Sequence, residues 1–213
     1  MMPVLHSLLI LFMMVGSMAC NRTPDESNNQ DPVQQDTVVV ENEPADKFLI
    51  RDQQAGPFKI GDELPGPATM MKYQMRIEQQ TRNTEEGPTT EQVTVIGESD
   101  IDLLWLKPGL LTSDPNYTNT INEINVISEK YKTDRSIGIG STLAEFIRAY
   151  PDARVWYTYV SGMYVLETDQ VKVQFLLNEA DYTGEKPEVE SEITPLELND
   201  FKQEAEIKSI RII

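Results

Sequence analysis

The amino-acid sequence predicts an α+β fold, a mainly antiparallel sheet with two short helices, and three observations lead there. Apolar residues alternate with polar ones over short runs, the pattern of half-buried strands: Tyr73, Met75 and Ile77, then Val93 and Val95. Connections between successive runs are short and rich in turn formers, as in "RNTEEGPTTE" (82–91), which suits hairpins rather than crossovers. Helical periodicity is confined to two places, each opened by a capping signal.

Taken in order, the body opens near Phe48, and the first hairpin spans the runs around Met75 and Val95. Further strands are expected at Ile101–Leu106, Glu123–Ser128, Arg154–Val160, Met163–Thr168 and Val171–Leu177, and in the closing run "EIKSIRII". In "GSTLAEFIRAYP", Thr142 and Glu145 form a T-x-x-E capping box, each satisfying a backbone N–H of the first turn. Leu143, Phe146, Ile147 and Tyr150 then share one helical face, and Pro151 stops the helix. A second box, Thr194 and Glu197 with Pro195 at the first helical position, predicts a helix over "PLELNDFKQ".

The order of these pieces repeats. "FKIGDEL" corresponds to "IGIGSTL", "DIDLLWL" (Asp100–Leu106) to "QVKVQFL" (Gln170–Leu176), and "NEINVI" (Asn122–Ile127) to "AEIKSI" (Ala205–Ile210). Two related βαβ-containing lobes, 57–130 and 135–213, are therefore expected within one domain spanning 48–213. Pro65, Gly66 and Pro67 stand where the first copy should have its helix and are expected to interrupt it.

Composition limits the partners. The chain has 213 residues, 39% of them hydrophobic, which suffices for a core, and a net charge of -17. Nucleic acid is excluded as a partner, because displacing counterions from phosphates needs positive charge. An anionic membrane surface would also repel the chain unless something covalent held it there.

The N-terminus supplies a candidate anchor. Leu8–Val15 is apolar but too short for a bilayer core of about 30 Å, and small or unbranched residues lead from it to Cys20, the sole cysteine. This stretch resembles a bacterial lipobox, with two departures: Ser17 stands where Leu is commonest, and "MMPVLHS" lacks Lys and Arg. The resemblance implies a signal peptide over 1–19 and acyl chains on Cys20. Each buried CH₂ contributes roughly 0.8 kcal/mol, so several chains hold firmly. The competing reading is an ordinary secretory signal with an incidental Cys20. One cysteine makes no intramolecular disulfide either way. Residues 20–47 are too polar to offset their ordering entropy and are expected to form a disordered tether, roughly 30 Å root-mean-square in span. Asn21, where enterobacterial lipoproteins retained in the inner membrane carry Asp, points by the same resemblance to the outer membrane.

The second half carries a wider resemblance. "INEINVISEKYKTDRSIGIGSTLAEFIRAYP", then "VKVQFLL", then "LNDFKQEAEIKSIRII" is similar to the RpoE-regulated lipoproteins of enterobacteria. The shared features are a strand ahead of a charged loop, an I-G-x-[ST] turn into a short aromatic helix, and the K-[SV]-I ending. The resemblance covers roughly Ile121–Ile213 and implies a β-rich envelope lipoprotein domain of unknown function. It brings no catalytic residues.

The chemistry available to the body is narrow. His6 is the only histidine and lies in the signal peptide, so no Ser-His-Asp set, no H-E-x-x-H and no Cys/His zinc site is expected. "GIGST" (Gly138–Thr142) lacks the Lys of a phosphate loop and reads as a strand-to-helix turn. Asp100 and Asp102 share a strand face but read as solvated, and Asp114 completes no calcium loop with them. No catalytic residue, metal ligand or cofactor is expected. Two features suit binding instead. Trp156, Tyr157, Tyr159 and Tyr164 cluster on neighbouring strands, with Tyr157 and Tyr159 on the face of Val155 and Trp156 on the other. Core packing is the first reading for these rings, and a groove for sugar or peptide the second. Between Glu179 and Glu206, ten acidic residues against two lysines give -8, and Glu185, Glu188, Glu190 and Glu192 could steer a basic partner. The expected function is a non-enzymatic, protein-binding envelope lipoprotein. The alternatives are an acidic inhibitor of a basic cell-wall hydrolase and a carboxylate-based hydrolase.

Overall fold

A computed structural model of the chain describes residues 45–83, 90–110, 117–185, 187 and 191–213. The fold is α+β. Three short strands come first, β1 (Leu49–Arg51), β2 (Gln54–Ala55) and β3 (Phe58–Lys59), followed by helix α1 (Pro67–Tyr73). A meander follows: β4 (Arg76–Asn83), β5 (Thr90–Glu98), β6 (Ile101–Leu110) and β7 (Tyr117–Val126). After β8 (Lys132–Thr133) and helix α2 (Leu143–Ala149) come β9 (Arg154–Thr158), β10 (Met163–Thr168), β11 (Val171–Leu177), β12 (Ile193–Leu196) and β13 (Ile207–Ile212). The short strands pair in the order β3-β2-β1-β8. The other nine make one sheet, β12-β9-β10-β11-β13-β7-β6-β5-β4, in which every neighbouring pair is antiparallel.

The repeat is visible in this order. Each copy runs from a bridging residue through a helix and a three-strand meander to a strand at the middle of the sheet, where β7 and β13 pair. Each bridging residue pairs with its own copy's last stretch, Glu63 with Thr120 and Thr142 with Glu206. The supporting bonds match one for one. Gly61 N, Ile121 N and Leu64 N donate to Ile121 O, Asp62 O and Asn119 O; Gly140 N, Ile207 N and Leu143 N donate to Ile207 O, Ser141 O and Ala205 O. These bonds correct the residue match within the strings. Ile121 is the counterpart of Ile207, whereas aligning "NEINVI" with "AEIKSI" sets Ile124 there. Isoleucine recurs at every third position in both strands (Ile121, Ile124, Ile127; Ile207, Ile210, Ile213), so the strings also match three residues out of register.

The helices differ from expectation in two places. α2 is as expected: Glu145 N donates to Thr142 Oγ1 at 3.2 Å and Thr142 N to Glu145 Oε2 at 2.8 Å. Leu143 and Phe146 are buried, Tyr150 lies under the last turn, and Phe146 meets Phe175 edge-on at 4.9 Å. The second helix, however, is not at 195–203. Ile193–Leu196 is strand β12, only a 3-10 turn at Leu198–Asp200 follows, and Glu197 caps nothing with its side chain. Pairing with β9 outweighs the local helix signal, and Pro195 is tolerated at the sheet edge opposite Trp156. The second helix is α1 instead. Pro67 was expected to break a helix here, but it opens one, because at the first helical position a missing N–H costs no hydrogen bond.

One face of the large sheet holds the core. Ile96, Leu104, Leu106, Ile124, Val126, Phe175, Ile210 and Ile212 pack there with Met70 and Tyr73 of α1 and Leu143 and Phe146 of α2. Lys47, just before β1, is 2% exposed and donates to Glu98 Oε1 at 2.6 Å, so the folded body begins ahead of Phe48.

Thr142→Ala removes the acceptor of the α2 cap. We expect thermal or denaturant unfolding to show a loss of about 1 kcal/mol, with no change in oligomeric state and no protection of the wild type by added nucleotide or phosphate.

Candidate functional site

The opposite face of the sheet is the candidate site. Alternation along each strand sends one set of side chains away from the helices, and strand register aligns them into rows. One row crosses six strands: Glu78, Val95, Trp105, Asn125, Arg211 and Gln174, each directly opposite the next. A second row, Pro195, Trp156, Val165 and Leu176, continues over the far half. Val93, Val95, Val165 and Leu176 are buried here, outside the main core cluster, while Trp105 and Trp156 are half-buried beside them.

The polar groups of this face hold one another. Glu123, 9% exposed, accepts from Arg211 Nη2 at 2.8 Å and Asn125 Nδ2 at 2.7 Å, and Lys107 Nζ lies 3.2 Å away. Burial acts to raise the Glu123 pKa, but the Arg211 hydrogen bond and the charges of Arg211 and Lys107 outweigh it and hold the carboxyl below its ordinary 4.5. Lys107 also meets Glu91 at 3.1 Å. Arg82 lies 3.8 Å over the Trp105 ring and donates to Gln80 Oε1 at 3.0 Å. On the far side Arg154 grips Asp169 with two bonds, 2.7 and 3.0 Å, beside a shallow groove of about 350 Å³ lined by Glu167, Lys172, Gln174 and Arg211. At its rim, Asp152 accepts from Thr168 Oγ1, Asp169 N and Gln170 Nε2, which lower its pKa to about 2 and fasten the β10–β11 turn.

The aromatic residues singled out from the sequence divide between the two faces. Tyr164 is buried and Tyr157 half-buried in a ring stack with Tyr182 and Phe201, at centroid spacings of 4.9–5.6 Å, which closes one end of the core. Trp156 points to the open face, and Tyr159, past the end of β9, is 58% exposed. The four therefore line no common groove. Glu185 and Glu192 are exposed on the segment flanking β12, whereas Glu188, Glu190 and Cys20 lie outside the described residues. Asp100 is exposed in the β5–β6 turn, Asp102 pairs with Arg76, and Asp114 lies outside the described residues. The turn at Gly138–Thr142 is shaped by packing: a Cβ at Gly138 would lie 2.3 Å from the Tyr131 carbonyl, and Gly140 sits at φ +78°. Among the described residues, no three His, Cys, Asp or Glu side chains converge as metal ligands would, and no helix is long and apolar enough to cross a membrane. The Glu123 node and the Arg82–Trp105 stack escaped sequence reading, because both depend on the register of three strands.

Fold and face together define an α+β protein built on one antiparallel sheet, covered by helices on one side and bearing a polar and aromatic strip on the other. No family model matches the chain, and no curated protein matches it. Among solved structures, it is similar to the uncharacterized protein YfeY from Escherichia coli, with a TM-score of 0.46 and 11% identity over 76% of this chain and 98% of that one.

The Glu123 node carries a pH dependence of definite sign. A carboxyl whose pKa is depressed by folding contributes stability above its unfolded value and loses it as pH falls through the folded value. Acid titration of the melting temperature should show this decline beginning near pH 4.5. Glu123→Gln should cost about 1–2 kcal/mol at neutral pH and flatten that part of the acid profile.

Proposed function

We propose that this protein is a lipid-anchored, non-enzymatic component of the bacterial cell envelope whose folded body binds another protein. The anchor reading rests on the lipobox-like stretch ending at Cys20, the polar segment behind it, and the resemblance of Ile121–Ile213 to RpoE-regulated lipoproteins. Asn21, where lipoproteins retained in the inner membrane carry Asp, favours the outer membrane. The observation that carries the binding reading is the open sheet face. It is broad and shallow, with Trp105 and Trp156 half-exposed beside the ion pairs of Lys107 with Glu91 and Glu123 and of Arg211 with Glu123. Broad surfaces with aromatic anchors suit macromolecular partners better than small molecules, which favour enclosed clefts.

The -17 charge favours a partner that is basic where it docks, with Glu185, Glu188, Glu190 and Glu192 as the steering group. Inhibition of a basic cell-wall hydrolase is one form this could take, supported by the exposure of Glu185 and Glu192. A carboxylate-based hydrolase finds less support. Such an enzyme needs one carboxyl held protonated by a raised pKa. Glu98, Glu123, Glu145, Asp152 and Asp169 are each held below the ordinary value, the opposite of what that role needs.

Two experiments test these readings. Cys20→Ala should release the protein from membranes or leave an unprocessed precursor; a variant processed and membrane-held like the wild type would sink the anchor. Affinity capture from detergent-solubilised envelopes should yield a basic partner whose association slows as salt rises past the range where charges are screened over about 10 Å. Neutralising the four glutamates should lower the on-rate more than it raises the off-rate. An interaction indifferent to salt and to those four changes would remove the acidic steering group and leave the contact to the open face around Trp156 alone.

A further inference from the structure

The sheet ends differently at its two edges. At one edge, β12 lies outside β9, and its outer side is closed: Pro195 has no N–H to donate, and the Ser191 hydroxyl donates to the Ile193 carbonyl. At the other edge is β4. The internal repeat makes β4 the counterpart of β9, since each follows its helix and opens its meander. β9 is covered by β12; β4 is covered by nothing among the described residues. It runs for eight residues without proline or glycine, and its outward backbone groups have no partner among the described residues. An unpaired edge of this length, about 27 Å, is a ready template for another strand.

The charges on β4 indicate which strand fits. On the open-face side it carries Glu78, Gln80 and Arg82. Arg82 is held over Trp105 yet has no carboxylate partner among the described residues, although the chain holds 35 acidic residues to 18 basic ones. Glu78 has a side chain 55% exposed and only a long 3.4 Å contact with Arg76, which is itself engaged by Asp102 and the Ser99 carbonyl. A second β4 laid antiparallel about Gln80 sets Glu78 directly opposite Arg82, twice by symmetry and on one face. Centring the pair on Glu78 would oppose two glutamates, and centring it on Gln79 would oppose Arg76 and Arg82.

We propose that the protein forms a two-fold symmetric dimer through β4, paired about Gln80 so that Glu78 of each copy meets Arg82 of the other. The second copy's β4 then stands where β12 stands in the other half, and two sheets become one with both open faces on the same side. This interface is independent of the partner-binding reading above.

The test uses the full chain in mild detergent. With Cys20→Ser removing the native thiol, cysteines are placed singly at Glu78, Gln80 and Arg82 and oxidised. Gln80→Cys should cross-link at least about tenfold faster than the other two, because only an on-axis residue lies within about 5.5 Å of itself. In sedimentation equilibrium, Glu78→Arg and Arg82→Glu should each weaken the dimer about tenfold, and the double variant should restore it. A monomeric wild type, equal cross-linking at the three positions, or a double variant no tighter than the singles would overturn the proposal. Should Arg82→Glu fail to fold, as its melting curve would show, the cysteine series still decides.

Discussion

The pairing of β7 with β13 is the contact on which the rest of the structure depends. It joins Val126 to Ile210 and Ile124 to Ile212, four side chains with no exposed surface, on the helix-covered side. On the other side Arg211 of β13 reaches Glu123 of β7 at 2.8 Å. Apolar burial thus closes the seam from one face and a charge-assisted bond from the other. The strands are far apart in sequence, so loop-closure entropy opposes the pairing, although that cost rises only slowly with length. Without the seam, each half would expose an apolar strand edge in the middle of its own core.

The seam also fixes where everything else goes. Because each helix is preceded by a segment bonded to its copy's last strand, pairing those two strands brings both helices to the same side of the sheet. The opposite side is left to side chains that cover one another. Val93 and Val95 lie beneath the Trp105 and Arg82 layer, and Val165 beside Trp156. Buried Lys47 ties the start of the body to Glu98 at the end of β5, while the small sheet joins it to β8 and the Asp52 carboxylate accepts from Lys172 N of β11.

How much of this was legible follows from the length and sidedness of each element. β11 announces itself by alternation, with Val171, Val173 and Phe175 buried and Lys172 and Gln174 not; the run Tyr73, Met75 and Ile77 misleads, because Tyr73 closes α1, Met75 precedes β4 and only Ile77 lies in the strand. β6 announces itself less clearly, because its register against β5 shifts at Leu103, so that Leu103 and its neighbour Leu104 both enter the core. β1, β2, β3 and β8 are two or three residues long, too short for any period to register. Thr194-Pro195 carried a sound local helix signal that lost to pairing with Tyr157 and Trp156, a contact some forty residues away. Alternation placed Trp156 opposite Tyr157, and that much holds; which of the two faced the core was beyond it, since both rings are large and amphipathic. The candidate site was the least legible part. Glu123, Lys107 and Arg211 look like ordinary solvated charges until three strands are laid side by side.

Both tryptophans of the chain, Trp105 and Trp156, stand on the open face, one on either side of the seam, and the helix-covered core has none. The protein's tryptophan fluorescence is therefore a property of that face alone. Trp105, under a guanidinium and two strands from the bare edge, reports on one half; Trp156, beside Pro195, reports on the other. Anything that settles on the sheet should change the emission wavelength or intensity without a label. With either ring replaced by phenylalanine, the remaining signal would say which half was touched.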